Sequence, residues 1–114
     1  MIHYGMTKTA QLAVSRGLAE AVAGTGITVN CVLPGPTKSR GVGDFVDALA
    51  KKEGKTFAEF EKEFFLKVRP TSLIKRFATP EEVAALITYV ASPLSSATTG
   101  AARRVDGGVV KSAF

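Results

Sequence analysis

The sequence has a single cysteine, no long apolar run and no secretory leader pattern. Cys31 has no second thiol in these 114 residues with which to form a disulfide, which fits a reducing compartment. No apolar stretch approaches the roughly 18 to 20 residues that cross a bilayer. The first residues lack a basic region followed by an apolar core and a small-residue cleavage site. We therefore expect a cytoplasmic protein with no membrane partner.

Blocks of like charge and metal-ligand spacings are also missing. The net charge of +5 comes from 15 basic and 10 acidic residues, and in the middle of the chain the two signs alternate at helical spacing. Such mixing is typical of a solvated face and not of a nucleic-acid footprint. No zinc-ligand spacing or RNA-binding aromatic motif occurs, so we expect neither a metal site nor a nucleic-acid partner.

What the sequence does contain is the composition of a globular chain. Hydrophobic residues make up 46% and charged residues 22%, and 114 residues suffice for one domain or part of one. From Tyr4 to about Ala23 good helix formers predominate, and Gly24 and Gly26 can end the helix. Few charges interrupt this helix, so we expect the rest of the chain or another subunit to cover it on several sides.

Tyr4 and Lys8 lie four residues apart at the start of this helix, on one face. An ammonium close to a phenol favours the phenolate, which can prepare a tyrosine for general acid/base catalysis. The alternative is an ordinary surface contact with the cation over the aromatic ring. The spacing alone favours that alternative, and the rest of the sequence must decide.

A strand and a rigid turn follow the first helix. Residues 27–33 (Ile-Thr-Val-Asn-Cys-Val-Leu) are rich in β-branched side chains and almost continuously apolar, as in a strand buried on both faces of a parallel sheet. Pro34-Gly35-Pro36 then predicts a rigid turn at the carboxyl end of the strand. Ligands of open α/β sheets bind at that end.

The segment from about residue 40 to residue 69 differs from its neighbours in sequence pattern. Phe45, Val46 and Leu49 predict a short helix, and Thr56 with Glu59 predicts a capping box at the start of a second one. Phenylalanines at helical spacing continue through this second helix. Two functions are open for the phenylalanines: the core of a helical hairpin, or an apolar lid over a substrate.

The last third of the sequence predicts one more helix and a second strand. Thr79-Pro80-Glu81-Glu82 combines an N-cap residue, a proline at the first helical position and acidic residues at the positive end of the helix dipole. Ser92-Pro93 marks the end of this helix, and residues 100–105 predict a short strand before the turn Asp106-Gly107-Gly108. A strand, a helical connection and a strand together indicate an α/β fold with parallel pairing.

These motifs, taken in order, resemble the C-terminal half of a short-chain dehydrogenase/reductase. The resemblance covers nearly the whole chain and rests on four stretches of sequence: Tyr4-x-x-x-Lys8, the run from Asn30 to Gly35 (NCVLPG), the run from Arg76 to Ala84 (RFATPEEVA), and the run from Val105 to Gly108 (VDGG). It implies the C-terminal portion of a Rossmann-like doubly wound parallel sheet, with about two strands and three to five helices.

The resemblance also implies a chemistry, namely hydride transfer between NAD or NADP and a carbonyl or alcohol substrate. Tyr4 would exchange a proton with the substrate oxygen, and Lys8 would favour the phenolate and hold the nicotinamide ribose. Both residues would then contact the cofactor. Pro34 and Gly35 would shape the nicotinamide pocket and the backbone of Thr37 would meet the carboxamide. Ser39 stands where the family often has a threonine, which makes its cofactor contact less secure.

Parts of the family pattern are missing from the sequence. It contains no glycine-rich dinucleotide fingerprint, and the serine and asparagine that complete the family's catalytic set would precede Tyr4. We therefore expect a truncated product, a fragment, or a reading frame begun at an internal methionine, without activity of its own and with weak or no cofactor binding. Residues 40–69 would be the variable substrate loop, so the substrate is not predicted.

Assembly offers an alternative function. In the family the first helix of this segment commonly lies at a dimer interface, so a homodimer or homotetramer is expected. The chain could then serve as a non-catalytic oligomerisation module that pairs with itself or with a full-length relative.

Overall fold

The computed structural model describes residues 1–113 as an α/β arrangement, as the sequence predicts. Within these residues lie two strands, four α-helices and one short 3₁₀ helix: α1 (Ile2–Ala21), β1 (Cys31–Pro34), α2 (Arg40–Lys52), α3 (Phe57–Lys67), α4 (Pro80–Ala91), the 3₁₀ helix (Pro93–Ser95) and β2 (Ala102–Val105). The chain divides into two compact units. The first unit contains Met1–Leu33 and Ala85–Arg104, and the second contains the residues between these two segments and those from Val105 onward.

Helix α1 is the longest element and confirms the first predicted helix, two residues earlier at each end. Gly24 and Gly26 follow it with φ of +78° and +81°, the left-handed backbone that ends helices. Ala19 is its only buried residue, and the first eleven residues of the chain are all exposed. No helix within residues 1–113 is both long enough and apolar enough to span a membrane.

Strands β1 and β2 form a two-stranded sheet, and their pairing is parallel. The Cys31 amide donates to the Ala101 carbonyl at 2.9 Å, and the Gly35 amide donates to the Val105 carbonyl at 3.2 Å. Because both partners advance together along the chain, the strands run in the same direction. The predicted crossover through a helix is therefore confirmed.

Both strands are shorter than predicted, and the cause is visible at their start. The Val29 amide donates to the side chain of Thr99 at 3.1 Å. The Asn30 side chain donates to the Thr98 carbonyl at 2.7 Å and accepts from the Ala101 amide at 3.2 Å. These side-chain bonds take the place of regular ladder bonds at residues 29 and 30, where one backbone bond remains, from the Gly100 amide to the Val29 carbonyl at 2.7 Å, so β1 begins only at Cys31. At its other end β1 includes Pro34, which had been expected to follow the strand.

The second unit has a phenylalanine core. Phe65 is 1% exposed and Phe77 is 6% exposed, and their ring centroids lie 5.1 Å apart in an edge-to-face contact. Val46 of α2 completes the buried cluster, and three partly buried rings pack against it: Phe57, Phe60 and Phe64. Four of the five phenylalanines between residues 45 and 65 thus belong to this core, together with Phe77; Phe45 is exposed.

Helices α3 and α4 begin as the sequence predicts. The Thr56 hydroxyl accepts from the Glu59 amide and the Glu59 carboxylate accepts from the Thr56 amide, which completes a capping box. Thr79 and Glu82 exchange the same pair of bonds before α4, at 3.3 and 2.8 Å. Arg76 adds a two-bonded ion pair to the Glu82 carboxylate.

This ion pair gives the second unit a pH dependence. Hydrogen bonds from the Arg76 guanidinium and from the Thr79 amide lower the pKa of Glu82 from 4.5 to about 2. A carboxyl whose pKa is lowered by folding stabilises the folded state above its ordinary pKa, and that contribution is lost as the pH falls through the folded value. Glu82→Gln should therefore lower the free energy of unfolding at pH 7, and the deficit should shrink as the pH falls from about 4.5 to about 2.

Urea unfolding at several pH values, for the wild type and the variant, measures this difference. Glu81→Gln, one residue earlier on the same turn of α4, is the matched control and should change stability little at any pH. Both side chains of the ion pair are partly exposed, so added salt should reduce the effect at pH 7. A deficit of equal size at pH 2 and pH 7 would contradict the assignment.

Candidate active site

Tyr4 and Lys8 lie side by side on the exposed first half of α1. The Lys8 ammonium stands 5.5 Å from the centroid of the Tyr4 ring, and it donates a 3.4 Å hydrogen bond to the Gln11 side chain. The cation therefore lies over the ring and not against the phenol oxygen, which is the surface contact that the spacing by itself favours. The one-turn spacing nevertheless keeps both groups on one face.

The phenol of Tyr4 is accessible from solvent. Tyr4 is 51% exposed, and within residues 1–113 its hydroxyl has no hydrogen-bond partner; only its carbonyl is used, as the acceptor for Thr7 at 2.9 Å. An unpaired phenol beside an ammonium can take part in proton exchange with a bound molecule.

Gly35 is in the second unit, in the turn that follows β1, and its backbone is pressed against Asp106. A Cβ built on Gly35 would lie 2.6 Å from the Asp106 carbonyl oxygen and 2.7 Å from its Cα. Those atoms are backbone and cannot swing aside, so only glycine fits. The predicted turn is thus a close contact between the ends of two strands, with Pro34 as the last residue of β1.

Asp106 holds the other side of this contact, a role that sequence reasoning missed. Its carboxylate accepts from the Gly108 amide at 3.0 Å and from the Val110 amide at 2.9 Å. Asp-Gly-Gly was recognised only as a turn. An Asp before glycines commonly bonds to amides that follow it, and that signal could have identified Asp106 as the anchor of the loop.

The backbone of Thr37 is presented on the side away from Ala78. Residues 37 and 78 form a parallel bridge in which Ala78 donates to Pro36 at 2.9 Å and accepts from Lys38 at 2.8 Å. In a parallel bridge that pattern directs the amide of the opposing residue to the other side. The Thr37 amide donates to no residue among those the structure describes, whereas its hydroxyl donates to the Gly35 carbonyl at 2.9 Å. A free amide of this kind can bind a carbonyl of a ligand.

Ser39 occupies the N-cap position of α2 without a side-chain cap bond. Its hydroxyl is thus available, as the sequence expectation of a ligand contact requires. Next to it, the Lys38 ammonium lies 3.5 Å from the centroid of the Phe57 ring. A Cβ built on Gly43 would lie 3.7 Å from two carbons of the Lys38 side chain, which is ordinary van der Waals contact. Lys38 therefore ties the loop to both α2 and α3, which nothing in the sequence had indicated.

Six residues were predicted for the site, and each unit holds part of the set. The first unit brings Tyr4 and Lys8 together. The second unit brings Pro34, Gly35 and Thr37 together through the turn and the hydroxyl bond of Thr37, with Ser39 directly after them. Their roles toward substrate and cofactor remain predictions.

Comparison with known proteins identifies the lineage. A family model described as enoyl-(acyl carrier protein) reductase matches residues 1–110. The uncharacterized oxidoreductase YvaG of Bacillus subtilis is 50% identical over 114 residues, which is all of this chain and 43% of YvaG. The chain belongs to the short-chain dehydrogenase/reductase family. It spans less than half the length of YvaG, so the activity of a whole enzyme does not transfer to it directly.

Solved short-chain dehydrogenases share the fold. A family protein from Francisella tularensis subsp. tularensis superimposes with a TM-score of 0.79 at 28% identity, over 96% of this chain and 43% of that one. L-sorbose reductase from Gluconobacter frateurii, complexed with NADPH and L-sorbose, superimposes with a TM-score of 0.83 at 31% identity, over 96% of this chain and 40% of that one. These similarities confirm the Rossmann-like fold class expected from the sequence motifs.

Proposed function

We propose that this chain carries the tyrosine–lysine pair and the nicotinamide side of the active site of an NAD(P)-dependent short-chain dehydrogenase/reductase. The observation that carries the proposal is the position of Tyr4 on α1, with an unbound hydroxyl and with the Lys8 ammonium one turn away. The family membership supports it, since the relatives include the uncharacterized oxidoreductase YvaG and a 2-keto-3-deoxy-L-fuconate dehydrogenase of Xanthomonas campestris.

The reaction proposed is the interconversion of a small carbonyl compound and its alcohol. A bound nicotinamide cofactor supplies or accepts the hydride. The Tyr4 hydroxyl gives its proton to the carbonyl oxygen during reduction and, as phenolate, takes it from the alcohol during oxidation. The Lys8 ammonium, one turn further along α1, is the group that would hold the ribose hydroxyls.

The loop after β1 fits the nicotinamide end of such a cofactor. The Thr37 amide is free to donate to a carboxamide oxygen, and Gly35 lets the loop pack directly against the Asp106 backbone. Ser39 offers a hydroxyl two residues further on. NADPH is the natural probe because L-sorbose reductase binds it, although either nicotinamide dinucleotide fits these contacts.

We assign substrate selection to the helical hairpin of residues 40–69. This hairpin would be the substrate loop of a cytoplasmic enzyme. Its phenylalanines pack against one another and against Phe77, which follows the hairpin, so a shared core holds the hairpin in place. Phe45, in the second turn of α2, is one of the large apolar side chains that the hairpin exposes, with Val42, Leu66 and Val68, and it is the one we assign to substrate contact.

The 114-residue chain on its own should neither bind NADPH tightly nor catalyse turnover. The pyrophosphate of a dinucleotide is normally held by a glycine-rich turn at a helix N-terminus, and the sequence contains no such fingerprint. Titration calorimetry with tens of micromolar protein should detect no binding of NADPH. Protein concentrations on this order are sufficient to detect typical cofactor affinities.

The matched experiment supplies the remainder of the fold. In a chimera, these 114 residues replace the corresponding segment of YvaG, to which they are 50% identical. The chimera should bind NADPH with a dissociation constant on the order of micromolar. Micromolar binding by the chain alone would refute the dependence on the missing part, and a folded chimera without binding would refute the proposed site.

A second candidate function is assembly. Helix α1 exposes large apolar side chains, among them Ile2 at 91% and Val14 at 70%, and its small residues Ala10, Ala13, Gly17 and Ala21 are also exposed. A face of this kind is suited to packing against a second copy, as a homodimer or homotetramer. In this alternative the chain is an oligomerisation module and Tyr4 has no chemical role.

A further inference from the structure

Lys38 stands between Thr37 and Ser39, two residues of the proposed site, yet its side chain contacts the helical hairpin. Its ammonium lies over the Phe57 ring, 3.5 Å from the centroid, and its stem lies beside Gly43, which is buried in α2. In the described part of the chain, Lys38 forms no ion pair. An aromatic ring, and not a carboxylate, therefore holds this ammonium in place.

The backbone of Lys38 is fixed by bonds that do not involve the hairpin. The Lys38 amide donates to the Ala78 carbonyl at 2.8 Å, and the Ala78 amide donates to the Pro36 carbonyl at 2.9 Å. Because these two bonds lie on either side of Thr37, they fix the loop where Thr37 presents its free amide. The Lys38 side chain thus extends from a fixed backbone, and it can hold in place the element that it contacts.

Phe57 is the first residue of α3, and the aromatic core holds it less closely than it holds the middle of the helix. Its ring centroid lies 6.2 Å from that of Phe77. Phe64, by contrast, lies 5.0 Å from both Phe65 and Phe77. Phe57 is also only partly buried. The contact with Lys38 therefore supports α3 at the end where the core supports it least.

A second side chain of α3 contacts the same segment of backbone. The Glu61 carboxylate accepts from the Phe77 amide at 2.8 Å, and Phe77 directly precedes Ala78, which pairs with the loop. Glu61 follows Phe57 by one helical turn, so both side chains lie on one face of α3. That face is held toward the loop at two points, and the contact with Lys38 is the one made by the loop itself.

We propose that Lys38 is a positioning residue, whose ammonium holds α3 against the loop of Thr37 and Ser39 and thereby orients the hairpin toward the substrate. This inference rests on the proposed function, because it requires that the loop meets the nicotinamide and that the hairpin selects the substrate. Lys38 acts through Phe57 and takes no part in the transfer of the proton or the hydride.

The strength of the contact sets the size of the expected effect. An exposed cation over an aromatic ring shifts an equilibrium by about 2- to 5-fold. When a protein binds a ligand in one of two arrangements, the apparent affinity falls with the fraction of molecules in that arrangement. Loss of the Lys38 ammonium should therefore weaken the apparent affinity for substrate by about 2- to 5-fold. Proton transfer at Tyr4 should be unchanged.

The first measurement follows the contact in the full chain, without cofactor or substrate. The Phe60 amide donates to the Thr56 carbonyl at 3.0 Å in the first turn of α3, so its hydrogen exchange reports the opening of that turn. Lys38→Met keeps an unbranched side chain and removes the charge, and it should speed this exchange by about 2- to 5-fold. Lys38→Arg should restore the wild-type rate, because a guanidinium also binds over aromatic rings.

Lys52→Met is the matched control. Lys52 is an exposed lysine in the last turn of α2, so the same charge is removed from the same hairpin. Among the described residues it lies over no aromatic ring and forms no ion pair. Exchange of the Phe60 amide should be the same in this variant as in the wild type. Circular dichroism should show equal helix content in all three lysine variants.

The second measurement uses the YvaG chimera and separates KM from kcat. Lys38→Met should raise the KM for the carbonyl substrate by about 2- to 5-fold, with kcat and the dissociation constant of NADPH unchanged. Phe57→Leu removes the ring and should also raise KM. Because both variants break one contact, adding Lys38→Met to Phe57→Leu should raise KM no further. Lys52→Met should leave all three quantities unchanged.

Three results would overturn the role of Lys38 alone. The first is equal exchange of the Phe60 amide in Lys38→Met and the wild type. The second is faster exchange with an unchanged KM, which would make the contact purely structural. The third is a KM effect of Lys38→Met that persists in full beside Phe57→Leu, which would assign the ammonium to direct contact with an acidic substrate. An unmodified chimera that folds but has no activity would instead refute the proposed function, and the role of Lys38 with it.

Discussion

Replacing Tyr4 by phenylalanine should lower the turnover of the YvaG chimera by about 100- to 10,000-fold, the range typical of a lost general acid or base. The substitution removes one oxygen from a side chain that is half exposed and whose hydroxyl has no partner within residues 1–113. Folding should therefore be unaffected, and NADPH affinity should change little. Absorbance of the reduced nicotinamide with a panel of ketones and aldehydes measures the effect.

Tyr89→Phe is the matched control. Tyr89 is the second of two tyrosines in the sequence and is also half exposed, on α4, so the same atom is removed from a similar environment. Its turnover should equal that of the unmodified chimera. Equal turnover of the Tyr4→Phe chimera would contradict the catalytic assignment. If the variant also assembles normally, that outcome would favour the oligomerisation module.

Replacing Gly35 by alanine should lower the free energy of unfolding by about 1 to 3 kcal/mol, the usual cost of forcing an extra carbon into a packed site. The added carbon would meet three backbone atoms of Asp106, all within 2.9 Å. Relief of that clash requires the ends of β1 and β2 to separate, and the Gly35–Val105 hydrogen bond would weaken. Urea unfolding followed by circular dichroism measures the change.

Gly41→Ala is the control for the removal of a glycine. Gly41 lies in the first turn of α2, and a Cβ there has no neighbour within 4 Å. Because alanine is the better helix former, this variant should be unchanged or up to about 1 kcal/mol more stable. If Gly35→Ala were as stable as Gly41→Ala, that result would contradict the close contact between Gly35 and the Asp106 backbone.

Local signals in the sequence predicted the helices well. Thr56 with Glu59, and Thr79 with Glu82, each lie three residues apart, so the bonds that start α3 and α4 depend on neighbours alone. Glycines with left-handed backbone ended α1 for an equally local reason. All the residues that form such a cap or turn lie within a few positions of one another in the sequence.

Strand boundaries could not be predicted in the same way. The residues that shorten β1 are Thr98, Thr99 and Ala101, about 70 positions further along the chain. β-Branched residues before Cys31 indicate a strand, but the side chains of Asn30 and Thr99 make the bonds at residues 29 and 30 that a regular ladder would make. Only the folded chain brings those partners together.

The candidate site shows the same division. The one-turn spacing of Tyr4 and Lys8 is local, so the sequence alone predicts that the two side chains share a face. The sequence does not predict that the ammonium lies over the ring. The phenylalanines between residues 45 and 65 suggested a core or a lid, and Phe77, distant in sequence, completes the core they form. Lys38 was missed because its partner Phe57 lies 19 positions away.

The most direct test of the central claim is turnover by the chimera in which these 114 residues complete YvaG. If the chain carries the tyrosine–lysine half of a dehydrogenase site, the folded chimera should oxidise NADPH in the presence of a carbonyl substrate and yield the corresponding alcohol. The loss of this activity in the Tyr4→Phe variant should not be reproduced by Tyr89→Phe. A chimera that folds and binds NADPH, yet leaves every carbonyl compound unreduced where YvaG itself is active, would contradict the account.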